Sequence, residues 1–206
     1  MDPKTLKDLL KLVYLNQLRH GPLTEQELQG IKRNEITEAI NTCFLTETRE
    51  ENAIKYSLTP KGRNQIRVVL AGGVYDVLHV GHLAALTEAK AMGDLLITVV
   101  ATDVTVEMLK GRRPVFPEED RRLLVEGLKP VDKAILGYED VGLGYEEVLM
   151  EVMPDMIAFG YDQLSLEKNV REIIDRRKLK IETVRLSKFD HEKYLSSSSA
   201  RAKISK

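Results

Sequence analysis

The stretch RVVLAGGVYDVLHVGHLAALTEAKAMG, from Arg67 to Gly93, decides the fold. Val68, Val69 and Leu70 form a short β-branched run closed by Gly72 and Gly73, the pattern of an interior parallel strand. After His79-Val80-Gly81-His82, the apolar residues Leu83, Leu86, Ala89 and Met92 return at helical spacing. Strand, glycine turn and helix therefore follow one another within 27 residues. Two histidines three apart on a first helical turn share a face and lie beside backbone N–H groups with no helical partner. Such a place suits an anion, and a phosphate above all.

Working outward, strands and helices alternate to the end of the chain. Leu95 to Ala101 and Val131 to Leu136 read as strands, with a helix over Pro117 to Leu128 between them. A helix over Tyr145 to Met153, a strand over Met156 to Phe159, a helix over Leu166 to Lys178 and a strand over Ile181 to Leu186 complete the series. The expected fold class is α/β: an open parallel five-stranded sheet with helices on both faces. Ligands of such sheets bind beyond the carboxyl ends of the strands, where the strand order switches.

Residues 1 to 66 have a different rhythm. Pro3 opens a helix striped by Leu6, Leu9, Leu10, Val13 and Leu18, and His20-Gly21-Pro22 stops it. Thr24 with Glu27 starts a second short helix through Ile31, and Asn34 caps a third that turns Ile36, Ala39, Ile40 and Phe44 inward. Thr46 to Ser57 reads as a hairpin, and Cys43 as a small core residue. Three helices and a hairpin make a helix-turn-helix with a wing, so residues 1–66 form a small α+β domain ahead of a domain over 67–206. Its closing phrase, Tyr56-Ser57-Leu58-Thr59-Pro60-Lys61-Gly62, resembles winged-helix domains of prokaryotic regulators. Glu35 and Glu38 on the helix that would enter a DNA groove speak against nucleic acid and for a pairing role, as in a homodimer, or a substrate lid.

Composition excludes several classes. A net charge of −1 gives no global basic field, and the single cysteine excludes a disulfide framework or a cysteine-built zinc site. No apolar run spans a bilayer and MDPKTLKDLL is not a signal peptide, so a cytoplasmic protein with no membrane partner is expected.

The phrase Gly73 to His82, G-V-Y-D-V-L-H-V-G-H, resembles the signature of the HxGH nucleotidyltransferase (cytidylyltransferase-like) superfamily. That resemblance implies a Rossmann-like sheet and attack of a substrate phosphate on the α-phosphorus of a nucleoside triphosphate, with pyrophosphate leaving. It implies His79 and His82 as donors to the transition state, and Gly73, Val74, Tyr75, Asp76 and Gly81 as the nucleotide-binding turn around them. Leu195-Ser196-Ser197-Ser198-Ser199-Ala200-Arg201 resembles the family's I-S-S-T-x-x-R phrase, with Ser198 where threonine is usual. By that likeness Ser197, Ser198 and Arg201 hold the β- and γ-phosphates. The family has a lysine in the loop before an acidic pair and an arginine after it, matching Lys110 and Arg121 as catalytic cations. Phe159-Gly160-Tyr161-Asp162-Gln163 matches the family's G-x-D, in which Asp162 reads the nucleoside.

The G-Y-D-Q form is similar to that of archaeal FAD synthases, as are E-E-x-R-R-x-x-V-E at Glu118–Glu126 and K-P-V-D-K-A-I-L-G at Lys129–Gly137. The resemblance implies transfer of AMP from ATP to FMN, with Mg²⁺ as cofactor and no protein ligand set that can be named for it. The alternatives are a CTP-dependent enzyme acting on glycerol phosphate or a related alcohol phosphate, and a ligand-sensing transcriptional regulator.

Overall fold

The computed structural model describes residues 1–28, 30–50, 53–139 and 144–188. The chain divides into two compact units, Met1–Arg67 and Val68–Lys206.

The first unit opens with helix α1, Pro3–His20. Asp2 caps it, its Oδ1 accepting the N–H groups of Lys4 and Thr5 at 3.0 and 3.1 Å. Strand β1, Leu23–Thr24, leads to a single 3₁₀ turn, Glu25–Leu28. The expected capping pair is present, with Glu27 accepting from the Thr24 N–H and hydroxyl, but it closes one turn and not a helix through Ile31. Helix α2, Arg33–Asn41, takes Lys32 as its N-cap, so Asn34 lies inside the first turn and does not cap it. Ile36 and Ala39 of α2 are buried as expected.

Cys43 contradicts its assignment: it is exposed, in the left-handed conformation at φ +59°, in the turn that ends α2. That turn is held from outside, where the Thr59 hydroxyl donates to the Cys43 carbonyl at 2.6 Å.

Strands β2, Leu45–Glu50, and β3, Ala53–Leu58, form the hairpin, and β1 pairs on the other side of β3 to give an antiparallel sheet ordered β1-β3-β2. Thr59 then caps the short helix α3, Pro60–Arg63, by accepting from Gly62 N–H. A side chain at Gly62 would stand 2.0 Å from the Phe44 carbonyl oxygen, which is why the closing phrase ends in glycine.

In the second unit, strand β4, Val68–Gly73, leads into helix α4, Val80–Lys90, and then strand β5, Leu95–Val100. Helix α5, Asp103–Lys110, and helix α6, Glu118–Glu126, precede strand β6, Lys133–Leu136. Helix α7, Gly144–Val152, strand β7, Met156–Phe159, helix α8, Leu164–Arg177, and strand β8, Glu182–Arg185, follow. The sheet order is β6-β5-β4-β7-β8, with every pairing parallel.

Val69, Ala71, Leu96, Ala134 and Ala158 face one way and pack with Leu86 and Ala89 of α4 and Val125 of α6. Val68, Leu70, Ile97, Ile135 and Ile157 alternate with them and are buried too, so both faces of the sheet are covered. This is the Rossmann-like parallel sheet expected from the sequence.

The chain builds from β4 through β5 to β6 on one side, then crosses to β7 and β8 on the other. The switch in strand order therefore falls between β4 and β7, and the crevice beyond their carboxyl ends is the natural ligand site. Among the described residues no helix is long and apolar enough to cross a membrane.

Candidate active site

At the end of β4, Gly73 carries no side chain because Tyr75 needs the room: a Cβ there would come within 2.9 Å of the Tyr75 ring. Tyr75 is buried in the left-handed conformation, φ +52°. That conformation is costly for a residue with a side chain, and here it turns the chain sharply out of the strand. Burial pushes the Tyr75 hydroxyl above its ordinary pKa, so it stays protonated.

The two histidines then begin α4 as a reciprocal cap. His79 is the N-cap residue and its Nδ1 accepts the Gly81 N–H at 3.1 Å. His82, three residues on, turns its Nδ1 back to the His79 N–H at 3.4 Å. A ring nitrogen that accepts a hydrogen bond carries no proton, so in each neutral imidazole the proton sits on Nε2. The capping geometry thus leaves both histidines with an Nε2–H donor. Their rings stack with centroids 3.9 Å apart and planes inclined by 29°. The Tyr75 ring meets His82 edge-on at 5.3 Å.

Electrostatics keep the pair neutral. Burial lowers the pKa of His79. That of His82 falls to about 4, chiefly through burial, with the neighbouring His79 and Lys110 adding repulsion. Lys110, the exposed last residue of α5, is therefore close enough for its charge to be felt at His82. Gly81 has a further reason to be glycine besides access for phosphate: a Cβ would stand 3.0 Å from the His79 ring.

Asp76 and Arg121 build the frame. Asp76 is buried, and its Oδ1 accepts the N–H groups of Val115 and Phe116 at 2.6 and 3.1 Å. Arg112 approaches Oδ2 at 3.8 Å. Asp76 thus clamps the 111–117 loop through one carboxylate oxygen. Arg121 is fully buried, with Nε on the Phe116 carbonyl, Nη1 on the Val74 carbonyl and Nη2 on Asp103. Its guanidinium ties the glycine turn, the 111–117 loop and the start of α5 together, and its bonds run to protein acceptors.

Asp103 is the first residue of α5 but not its cap. The cap is Thr102, whose hydroxyl accepts from Thr105 N–H at 3.2 Å, and the Asp103 carboxylate belongs to Arg121. Helix α5 has no counterpart in the strand and helix series expected from the sequence. The Thr102 cap and Gly111 in the left-handed conformation at its end were the available signals.

On the other side of the crevice, Asp162 is exposed in the turn after β7. Gln163, read only as part of a phrase, makes two bonds there: its Oε1 accepts the Gly160 N–H at 2.8 Å and its Nε2 donates to the Gly72 carbonyl at 2.9 Å. Ser197, Ser198 and Arg201 lie outside the described residues. The described structure therefore brings Tyr75, His79 and His82 into contact with the charge of Lys110 felt at His82, sets Asp76 and Arg121 in their support, and joins the Asp162 turn to β4 through Gln163.

Among the described residues no group of three His, Cys, Asp or Glu side chains could hold a metal ion.

A family model described as cytidylyltransferase-like matches residues 70–203. The chain is 46% identical to a FAD synthase of Aciduliprofundum boonei over 121 residues, 59% of this chain and 78% of that one. It is 44% identical to a FAD synthase of Thermoplasma acidophilum over 136 residues, 66% of this chain and 92% of the other. A solved structure from Thermoplasma volcanium, described as a lipopolysaccharide core biosynthesis protein, is 41% identical. It superposes with a TM-score of 0.56 over 61% of this chain and 99% of its own. The family model begins at residue 70 and so does not reach the first unit.

Proposed function

We infer the reaction from one premise: the chain belongs to the cytidylyltransferase-like family. It is a nucleotidyltransferase, and its relatives at 41–46% identity are FAD synthases. The reaction is transfer of AMP from ATP to FMN, giving FAD and pyrophosphate, in the cytoplasm. A terminal phosphate oxygen of FMN forms a bond to the α-phosphorus of ATP as the bond to the bridging α–β oxygen breaks, and the electron pair leaves with pyrophosphate.

The observation that carries this reading is the pair of neutral imidazoles at the start of α4, each with Nδ1 tied to backbone and Nε2–H left to donate. Phosphoryl transfer asks the protein for alignment and for donors to charge that builds on the phosphate oxygens. Two fixed N–H groups at a helix start supply these without repelling Lys110, which brings the positive charge. His79, His82 and Lys110 touch the reacting phosphates. Gly73, Val74, Tyr75, Asp76 and Gly81 shape the turn around them, and Arg121 acts by holding that turn against the 111–117 loop. Asp162 fixes the nucleoside. Ser197, Ser198 and Arg201 grip the β- and γ-phosphates.

A divalent ion such as Mg²⁺, were it bound with the triphosphate beside His79, His82 and Lys110, would offset phosphate charge there. The first unit is a winged helix-turn-helix domain that pairs two copies of the chain, because its α2 presents Glu35 and Glu38 where a DNA reader presents cations.

The test is a screen of ATP, CTP, GTP and UTP against FMN and glycerol phosphate, followed by pyrophosphate release. ATP with FMN should give turnover far above every other pairing. Turnover with CTP and glycerol phosphate in its place would overturn the FMN reading.

A further inference from the structure

We propose that Gln163 is a positioning residue for the nucleoside: its carboxamide pins the Gly160–Asp162 turn to the end of β4 and so sets where Asp162 presents its carboxylate. The proposal rests on the reading of Asp162 given above.

The turn is closed twice. The Gln163 N–H donates to the Gly160 carbonyl at 3.0 Å, and the Gln163 side chain returns through Oε1 to the Gly160 N–H at 2.8 Å. Asp162 sits inside this loop, folded over Gly160: a Cβ at Gly160 would lie 3.3 Å from Asp162 Oδ1. The turn as a whole would still be free to hinge about the end of β7. What prevents it is the second arm of the amide, Nε2 to the Gly72 carbonyl at 2.9 Å.

Gly72 belongs to β4, the strand that runs directly into the histidine-bearing turn, and β4 and β7 are parallel neighbours flanking the switch in strand order. One side chain thus spans the crevice where the ligand of such a sheet binds. The geometry also suits only a carboxamide, which has a donor and an acceptor on one flat group. A carboxylate could keep the Gly160 bond but would set charge against the Gly72 carbonyl.

Gln163→Glu therefore keeps the Gly160 bond while replacing the β4 anchor with repulsion, and Gln163→Met removes both bonds at nearly constant volume without adding charge. Affinity for a non-hydrolysable ATP analogue and KM for ATP and FMN would be measured for each variant, alone and combined with Asp162→Ala. Gln163→Glu should weaken ATP-analogue binding about five- to tenfold, the scale of one hydrogen bond, with KM for FMN unchanged. In the Asp162→Ala background the same change should add almost nothing, because the amide acts through that carboxylate.

Wild-type nucleotide affinity in Gln163→Glu and Gln163→Met, or the full loss persisting without Asp162, would overturn the proposal. If Asp162→Ala alone binds nucleotide normally, the proposal falls while FMN adenylyl transfer, judged by the substrate screen, stands. If the screen selects CTP, the FMN reading falls, and the same cycle run with a CTP analogue still decides the role of Gln163.

Discussion

Replacing Arg121 by Met keeps much of the side-chain volume but deletes the guanidinium that joins three segments. The change leaves the Val74 and Phe116 carbonyls and the Asp103 carboxylate without the donor they share. Asp103 is 39% exposed, so water takes over much of its share, whereas the site of the guanidinium is closed to solvent. Hydrogen bonds to a charged group contribute about 1.5–3 kcal/mol each, and with the Asp103 share largely taken over by water the two carbonyl bonds make the loss about 3–6 kcal/mol. That is a large part of a typical domain's stability.

Urea unfolding followed by circular dichroism should show the midpoint of Arg121→Met fall at unchanged slope. Arg121→Lys should recover little, because one ammonium cannot reach three acceptors set in a fork. Adding Asp103→Leu to Arg121→Met should restore part of the loss by removing the stranded charge. Turnover should fall with stability as the 111–117 loop loosens. A variant that unfolds at the wild-type midpoint yet has lost activity would refute the framing role and make Arg121 a direct phosphate contact.

Three further outcomes follow from the same geometry. His82→Ala should lower kcat about a hundredfold or more, as loss of one transition-state donor does, with helix loss in the far-ultraviolet spectrum confined to the first turn of α4; steady-state pyrophosphate release measures it. Both histidines have pKa values below the ordinary 6.5, His82 about 4, so the unfolded chain takes up protons that the folded chain refuses as pH falls below 6.5. Their contribution to stability is therefore complete above pH 6.5 and lost towards pH 4. Urea midpoints at pH 7 and pH 5 should show this, and the acid limb of kcat should lie below pH 6.5. Gly73→Ala would press a methyl group to 2.9 Å from the Tyr75 ring. Strain of that kind costs about 1–3 kcal/mol, and a pH profile shifted with the displaced ring against His82 would report it.

Much of the second unit was legible because local chemistry and burial agreed. Strand β7 was read to the residue, Met156 to Phe159, since a short apolar run after Pro154 has few other fates. The two histidines were legible because capping is a local event and the strand before them is apolar throughout. Helix α5 was not, because Val104, Met108 and Leu109 are exposed while Thr105 and Val106 are buried, which blurs the helical stripe. Arg121 sits in Glu118-Glu119-Asp120-Arg121-Arg122, a run whose charge points to solvent. Its burial depends on carbonyls at Val74 and Phe116 and a carboxylate at Asp103, contacts that only the assembled fold creates. Cys43 failed for the opposite reason: helical spacing was extended past Asn41, where the chain had already turned.

The reciprocal histidine cap has a consequence for how the site fails. Each imidazole can gain a second proton only on Nδ1, the atom that holds a backbone N–H of the first turn of α4. Acid therefore does not switch these groups off in place; it pries open the end of a helix. Loss of activity at low pH and fraying of that turn are one event, and faster amide exchange at Gly81 would follow the same titration as kcat. A chain that starts a helix on its own reactive side chains cannot lose one without the other.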